Sequence, residues 1–271
     1  MIAWLLPLMV LVIHGIFVHI SASSDAPTVS FTVAPITGQY TLRVNGQPWF
    51  TSTSPPTICY QGKKDTNLTF LHLSTSTGTD KFGPYTSQDV TYDVPSSATH
   101  ETIIFSFRTY GDINPAVGLL RAFFPQGLDT SGCGPNTDLG VRFPSYNMTA
   151  AMAPSLRYLS WRGVVVGKTA TSLGLSGLGA NGLDCGPVVA FDGQGFNVVC
   201  STLDRHKIVI QQSEQGVYSM GVSGAIASLP VGWDYSVVVV ASSGGGPTTA
   251  MYAWGAAVQG YYGYPSDTHT V

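Results

Sequence analysis

The sequence predicts an all-β protein: one large antiparallel β-sandwich with a single helix at its C-terminal end. Three observations carry this. Charged residues make up only 10% of the 271, and hydrophobic residues 44%, against roughly 25% charged in an ordinary globular domain. Thr, Ser, Val and Tyr are abundant, as is Gly at 31 residues, and β-branched and aromatic side chains fit a pleated sheet. Short apolar runs recur between turn signals without intervening helical segments, the pattern of stacked antiparallel sheets rather than strand–helix units.

The elements follow in order. "MIAWLLPLMVLVIHGIFVHISASSDAP" opens with a nearly uncharged run, Ile2 to Ile20, followed by small residues. Residues 1–23 are expected to be a signal peptide, cut near Ala22 or Ser24. An uncleaved signal anchor is the alternative, since no Lys or Arg precedes the run and its length nears the ~20 residues that span a bilayer. Either way the remainder is expected to be extracytoplasmic, secreted or tethered by that segment, with no other contact with a membrane. The sandwich is expected over 29–246. In "QYTLRVNGQPWFTS" Asn45-Gly46 separates two apolar-rich runs, a strong hairpin signal because both residues accept positive φ. "DVTYDVP" alternates as a strand. "ETIIFSFRTY" and "AVGLLRAFFP" flank Gly111 to Pro115 and form a second hairpin. Thr130 to Ala153 is rich in Gly, Pro, Asn and Ser and is expected to be loop. "RYLSWRGVVVG" resumes as a strand, and "TSLGLSGLGANGLDCG" is a glycine-rich loop. "HKIVIQQS", "YSMGVSG" and "WDYSVVVVAS" are three later strands.

"GPVVAFDGQGFNVVCSTLDRHK", Gly186 to Lys207, is the stretch with the most chemistry: two aspartates, an arginine, a histidine and a cysteine. Its pattern is two strands about a turn, with Asp192 in the turn because its side chain bonds nearby backbone N–H groups. The last segment, "GGGPTTAMYAWGAAVQGYYG", has helical spacing. Pro247 suits the first turn, Met251, Trp254, Val258 and Tyr261 share one face, and Gly260 is the expected stop. The helix is expected over 247–260 with a tail over 261–271, and its apolar face is expected to await a following domain.

Function classes narrow from the same text. The formal net charge of −3 leaves no basic footprint for nucleic acid. "GLGANG" (Gly177, Gly179, Gly182) matches a dinucleotide pattern, but Leu183 to Pro187 cannot continue as the helix that pattern needs. "GLSGLG" around Ser176 lacks the last glycine of a nucleophile elbow. The scattered histidines His72, His100, His206 and His269 have no zinc spacing with the cysteines, so neither metal nor cofactor is expected. Asp184, Asp192, Asp204 and Glu214 are the carboxylates weighed for sugar chemistry, which needs two flanking a bond. Asp204 and His206 could form a charge-tuned pair at a strand end or an ordinary polar loop. Among Trp49, Trp161, Trp233, Trp254 and the tyrosines 261, 262 and 264, Trp161 and Trp254 are the candidates for a sugar platform or an interface, against the commoner role of core anchor. "NLT" at Asn67 and "NMT" at Asn147 are glycosylation sequons. Cys59, Cys133, Cys185 and Cys200 form an even set suited to an oxidising compartment, and sequence does not choose among their three pairings.

The segments "VNGQPWFTS", "FFPQGL", "RFPSY", "YLSWRG", "GPVVAFD", "STLDRHK" and "PVGWDYSVVVVASSGGGPTTAMYAWGAAVQGYYG", in that order from Phe31 to Gly263, resemble the N-terminal β-sandwich of secreted eukaryotic proteins of the α-galactosidase and raffinose-synthase type of glycoside hydrolase. The resemblance implies a large β-sandwich preceding a (β/α)₈ barrel, with a helix between. Such catalytic aspartates lie on barrel strands, so it carries no catalytic residue onto this chain. The expected function is the non-catalytic sandwich of a secreted glycoside-hydrolase-like protein, of which this chain would be a fragment and a following barrel domain the partner. A carbohydrate-binding module in its own right and a structural or adhesion domain are the alternatives.

Overall fold

A computed structural model describes residues 26–53, 56–95, 100–135, 138–162, 166–170, 186–214 and 216–264; of 161–162 and 166–170 it describes the backbone alone. The expected leader, the GLGANG loop with Ser176, Asp184 and Cys185, the end of the tail, and the side chain of Trp161 lie outside the described residues.

The chain opens with β1 (Val29–Val33), β2 (Tyr40–Val44) and β3 (Gln47–Ser52), then a small hairpin of β4 (Thr57–Tyr60) and β5 (Lys63–Asn67). A meander follows: β6 (Thr69–Asp80), β7 (Gly83–Asp93), β8 (Thr102–Tyr110) and β9 (Asn114–Phe124). After β10 (Leu128–Asp129) and β11 (Ser145–Asn147) come β12 (Arg157–Arg162), β13 (Val166–Ala170), β14 (Val188–Phe191) and β15 (Phe196–Thr202). The chain continues through β16 (Val209–Glu214), β17 (Val217–Val222), β18 (Ser228–Leu229) and β19 (Trp233–Ser243) into α1 (Gly246–Tyr262).

The strands form two large antiparallel sheets, one of six strands in the order β1-β2-β3-β11-β17-β16 and one of nine in the order β13-β12-β14-β15-β19-β9-β8-β7-β6. The expected all-β sandwich is thus the observed architecture. Alternation decides which side chains meet between the sheets. From the nine-stranded sheet, Ile103, Phe105, Phe107, Leu120, Ala122 and Phe124 point into the core. From the six-stranded sheet Phe31, Tyr40, Leu42, Phe50 and Tyr146 meet them. Phe105 stacks on Phe143 with ring centroids 4.0 Å apart, and Tyr40 lies against Phe107 at 4.7 Å. The Asn45-Gly46 hairpin forms as read, with φ of 49° and 75°.

The continuous valine run of β19 has a structural reason. Val237 and Val239 face the sandwich core, whereas Val238 and Val240 face the other way, under α1. A strand buried on both faces loses its alternation. The helix is therefore a third layer on the nine-stranded sheet, which corrects the expectation that its apolar face awaits another domain. Met251, Trp254, Val258 and Tyr261 do share a face, but that face packs against Val189, Val199, Leu119, Val238 and Val240 of the chain's own sheet. The stop is also later than expected: Gly263, at φ 73°, caps the helix rather than Gly260. The stretch Thr130 to Ala153 is mostly loop but contributes β11, a short central strand of the six-stranded sheet.

Candidate functional site

A cavity of about 560 Å³ opens where the β4–β5 hairpin leans over the outer face of the six-stranded sheet. Its floor is built from hydroxyls. Ser145 and Ser219 are direct cross-strand partners on β11 and β17. Their hydroxyls are 2.8 Å apart, and Thr53 donates to Ser145 at 3.2 Å, so a row of hydroxyl groups crosses neighbouring strands. Tyr146, next along β11, turns inward to the core, so the pleat itself puts Ser145 on the outside. Gln212, the cross-strand partner of Ser219, extends the polar surface.

The walls carry charge of both signs. Lys64, on β5, donates to Asp138 at 2.6 Å, and this bond holds the ammonium above its ordinary pKa. Arg142 lies 3.6 Å from Asp65 and 3.8 Å from Glu214, joining the hairpin wall to the end of β16. The residues lining the cavity include Lys64, Asp65, Asp138, Arg142 and Glu214. In a chain with only 10% charged residues, that concentration marks this surface out.

Three local features fix the walls. The disulfide Cys59–Cys133 ties β4 to the loop that leads to Asp138. The Asp138 carbonyl accepts from the Gly224 N–H at 2.7 Å. Gly221, on β17, lets the backbone of Val141 and Arg142 cross directly over the strand, where any Cβ would overlap the Val141 carbonyl. The crossing is held by Phe143 N–H to Met220 O at 2.8 Å and Met220 N–H to Pro144 O at 2.9 Å. Arg142 thus enters the groove on backbone that only a glycine neighbour admits.

The carboxylates of the groove are paired with its cations. Here Asp65 and Glu214 have side chains 67% and 54% exposed and share Arg142, while Asp138 is held by Lys64. Among the described residues no group of three or more His, Cys, Asp or Glu is placed to hold a metal ion, and no helix is long and apolar enough to cross a membrane.

The residues singled out from sequence are dispersed. Glu214 lines the groove. Asp192 sits in its turn, its Oδ1 accepting from the N–H groups of Gln194 and Phe196, both at 2.9 Å. Asp204 accepts from the Ser236 N–H at 2.9 Å, and burial holds its carboxyl above the ordinary range. His206 Nδ1 is 2.8 Å from the Thr202 hydroxyl. Neither lines the groove. Trp254 is a helix-to-sheet anchor, its Nε1–H donating to Ser201 Oγ at 2.8 Å. Trp49 is core. Cys59 and Cys133 are bonded, whereas Cys200 is a free thiol among the described residues, buried between the sheets with a pKa pushed up by that burial to about 12, and Cys185 lies outside the described residues. Asn67 is exposed at the end of β5. Asn147, on β11, accepts from the Thr149 hydroxyl at 2.7 Å.

Sequence reading missed Lys64, Asp65, Asp138, Arg142 and the hydroxyl row. The one signal available was "KKD" at Lys63 to Asp65, a knot of charge in a chain nearly devoid of it.

No family model matches the chain, and no curated protein matches it. Among solved structures it is similar to a β-arabinopyranosidase, with a TM-score of 0.44 and 10% identity over 81% of this chain and 40% of that one. It is also similar to the GH36 α-galactosidase AgaB from Geobacillus stearothermophilus, with a TM-score of 0.43 and 11% identity over 71% of this chain and 30% of that one. The chain spans less than half the length of either.

Proposed function

We propose that this chain is a secreted, non-catalytic β-sandwich that binds carbohydrate in the groove under the β4–β5 hairpin and serves a glycoside-hydrolase-like protein. One observation carries the binding reading: a cavity of about 560 Å³ floored by hydrogen-bonded hydroxyls and walled by paired charges of both signs. Sugar hydroxyls both donate and accept, so a surface presenting donors and acceptors side by side, already ordered by its own hydrogen bonds, needs little reorganisation to exchange them. The order of segments from "VNGQPWFTS" to the helix supports the glycoside-hydrolase association, with a barrel domain as the partner. The apolar leader and the Cys59–Cys133 bond support an oxidising, extracytoplasmic setting.

The test is a glycan-array screen of the purified protein, followed by calorimetry on any oligosaccharide retained. Binding weakened about tenfold or more by Gln212→Ala and by Glu214→Ala, with an unchanged melting temperature, supports the reading. Absence of any glycan binding by the folded protein sinks it. So does turnover of a chromogenic glycoside that is abolished by Asp65→Asn or Glu214→Gln, since the groove would then be catalytic.

A further inference from the structure

A second depression, about 220 Å³, lies on the outer face of the nine-stranded sheet, beyond the region that α1 covers. It is remote in chemistry from the groove. Arg108 on β8 and Arg121 on β9 both line it. Arg108 pairs across the strands with Leu119, and Arg121 with Ser106. The two arginines are therefore diagonal neighbours, roughly 7–8 Å apart or less in such a register, within reach of long side chains. Each guanidinium is braced. Arg108 lies 4.3 Å from the Tyr85 ring centroid and Arg121 4.7 Å from that of Phe123. Arg108 spends Nη1 on Asp80 at 3.1 Å, and Arg121 spends Nε on Asp234 at 2.6 Å. A guanidinium has five donors in a fixed fork, so both keep donors in hand. Arg108 Nε is buried and has no hydrogen-bond partner among the described residues, so the donors open to a ligand are the guanidinium's terminal ones.

The opposite side of the depression has the opposite chemistry. Asp89 accepts from Ser76 at 2.7 Å and from Ser87 at 2.6 Å, with no cation paired to it among the described residues. Ser106 lies between, the cross-strand partner of both Asp89 and Arg121. Donors thus stand at one end, an acceptor at the other, and a hydroxyl between them. A simple inorganic anion would meet Asp89, and a neutral sugar would leave the donors that Asp80 and Asp234 do not use without an anionic acceptor. A molecule with a carboxylate at one end and hydroxyl donors at the other satisfies both. At the ~30 Å³ that water occupies in the liquid, the volume corresponds to roughly seven waters, space for one sugar ring.

We infer that this depression is a binding site for a single acidic sugar residue, a hexuronate, with its carboxylate on Arg108 and Arg121 and its hydroxyls toward Asp89 and Ser106. The site is independent of the groove and does not rest on the groove reading.

The test is titration of the purified protein with methyl β-D-glucuronide, with methyl β-D-glucoside as the neutral counterpart and sodium sulfate as the bare anion, followed by NMR or calorimetry. Binding of the glucuronide at least tenfold tighter than either of the others is expected. Arg121→Gln should reduce it tenfold or more, Arg121→Lys should restore only part of the loss because the planar fork is gone, and Asp89→Asn should narrow the preference over sulfate. Melting curves of each variant establish that it is folded. Equal affinity for glucuronide and glucoside overturns the inference, as does sulfate binding as tightly as glucuronide, or a folded Arg121→Gln that binds as the parent does. Absence of glucuronide binding overturns it too; oligosaccharide binding in the groove, unaffected by Arg121→Gln, would stand apart from that result.

Discussion

Single atoms decide two features of the molecule. At Gly221 a methyl group would overlap the Val141 carbonyl oxygen, so the segment that delivers Arg142 must shift. Overpacking against backbone costs about 2 kcal/mol or more, and at roughly 2–4 °C per kcal/mol for a domain of this size Gly221→Ala should melt about 5 °C lower. Because the shift moves Arg142, glycan binding in the groove should fall with it, while Arg121-dependent binding on the other sheet stays. Asp204 is the second case. Burial raises its carboxyl first, Asp234 adds to that, and the Ser236 N–H works against both. The folded state therefore holds the proton more tightly than the unfolded chain. Stability is favoured at low pH and is lost as pH rises from the unfolded carboxyl range through the folded value. Asp204→Asn keeps an acceptor for Ser236 and removes this slope. Chemical denaturation between pH 4 and 7 should show the variant gaining on the parent as pH rises; a constant difference would mean that Asp204 is not desolvated.

At the scale of the element, α1 shows what was legible in sequence and what was not. Its period was readable because Met251, Trp254, Val258 and Tyr261 recur at helical spacing, and its start because Pro247 fits a first turn. Its destination was not. A stripe states that a helix is covered on one side but not by what, and the answer sat in the valine run of β19, whose outward residues Val238 and Val240 meet the helix. The two halves of one interface were each visible and are 14 residues or more apart in sequence between Val240 and Trp254. Trp254 joins them with an indole N–H bonded to Ser201 and its ring among Leu119, Val199 and Val238 neighbours. Trp254→Ala should cost about 3 kcal/mol, combining lost burial with the loss of the indole hydrogen bond to Ser201. Trp254→Phe should recover most of the packing but not the hydrogen bond. If instead the helix were a connector facing a partner, truncating Trp254 would leave the stability of this chain unchanged.

At the scale of the whole molecule, the strands were legible because alternation and turn chemistry are local, whereas the groove was not, because its parts come from Thr53, Lys64, Arg142, Glu214 and Ser219. Only sheet order brings β3, β11, β17 and β16 side by side, and β11, the strand that carries Ser145, is too short to announce itself in a loop-like stretch. The covalent link that holds this long-range site is Cys59–Cys133, which spans 74 residues. Closing a loop of that length removes enough freedom from the unfolded chain to stabilise the fold by about 4 kcal/mol. The link has a local effect as well, because Lys64 follows Cys59 in the β4–β5 hairpin, Asp138 follows Cys133, and the ion pair between them closes the groove. Replacing both cysteines by serine should therefore lower the denaturation midpoint by an amount equivalent to about 4 kcal/mol. It should also weaken glycan binding at temperatures where the protein is still folded. A double variant that loses the stability but keeps full glycan affinity would show that the hairpin is placed by the sheet alone, through the pairing of Ile58 with Val141, and that the bridge guards the fold without shaping the site.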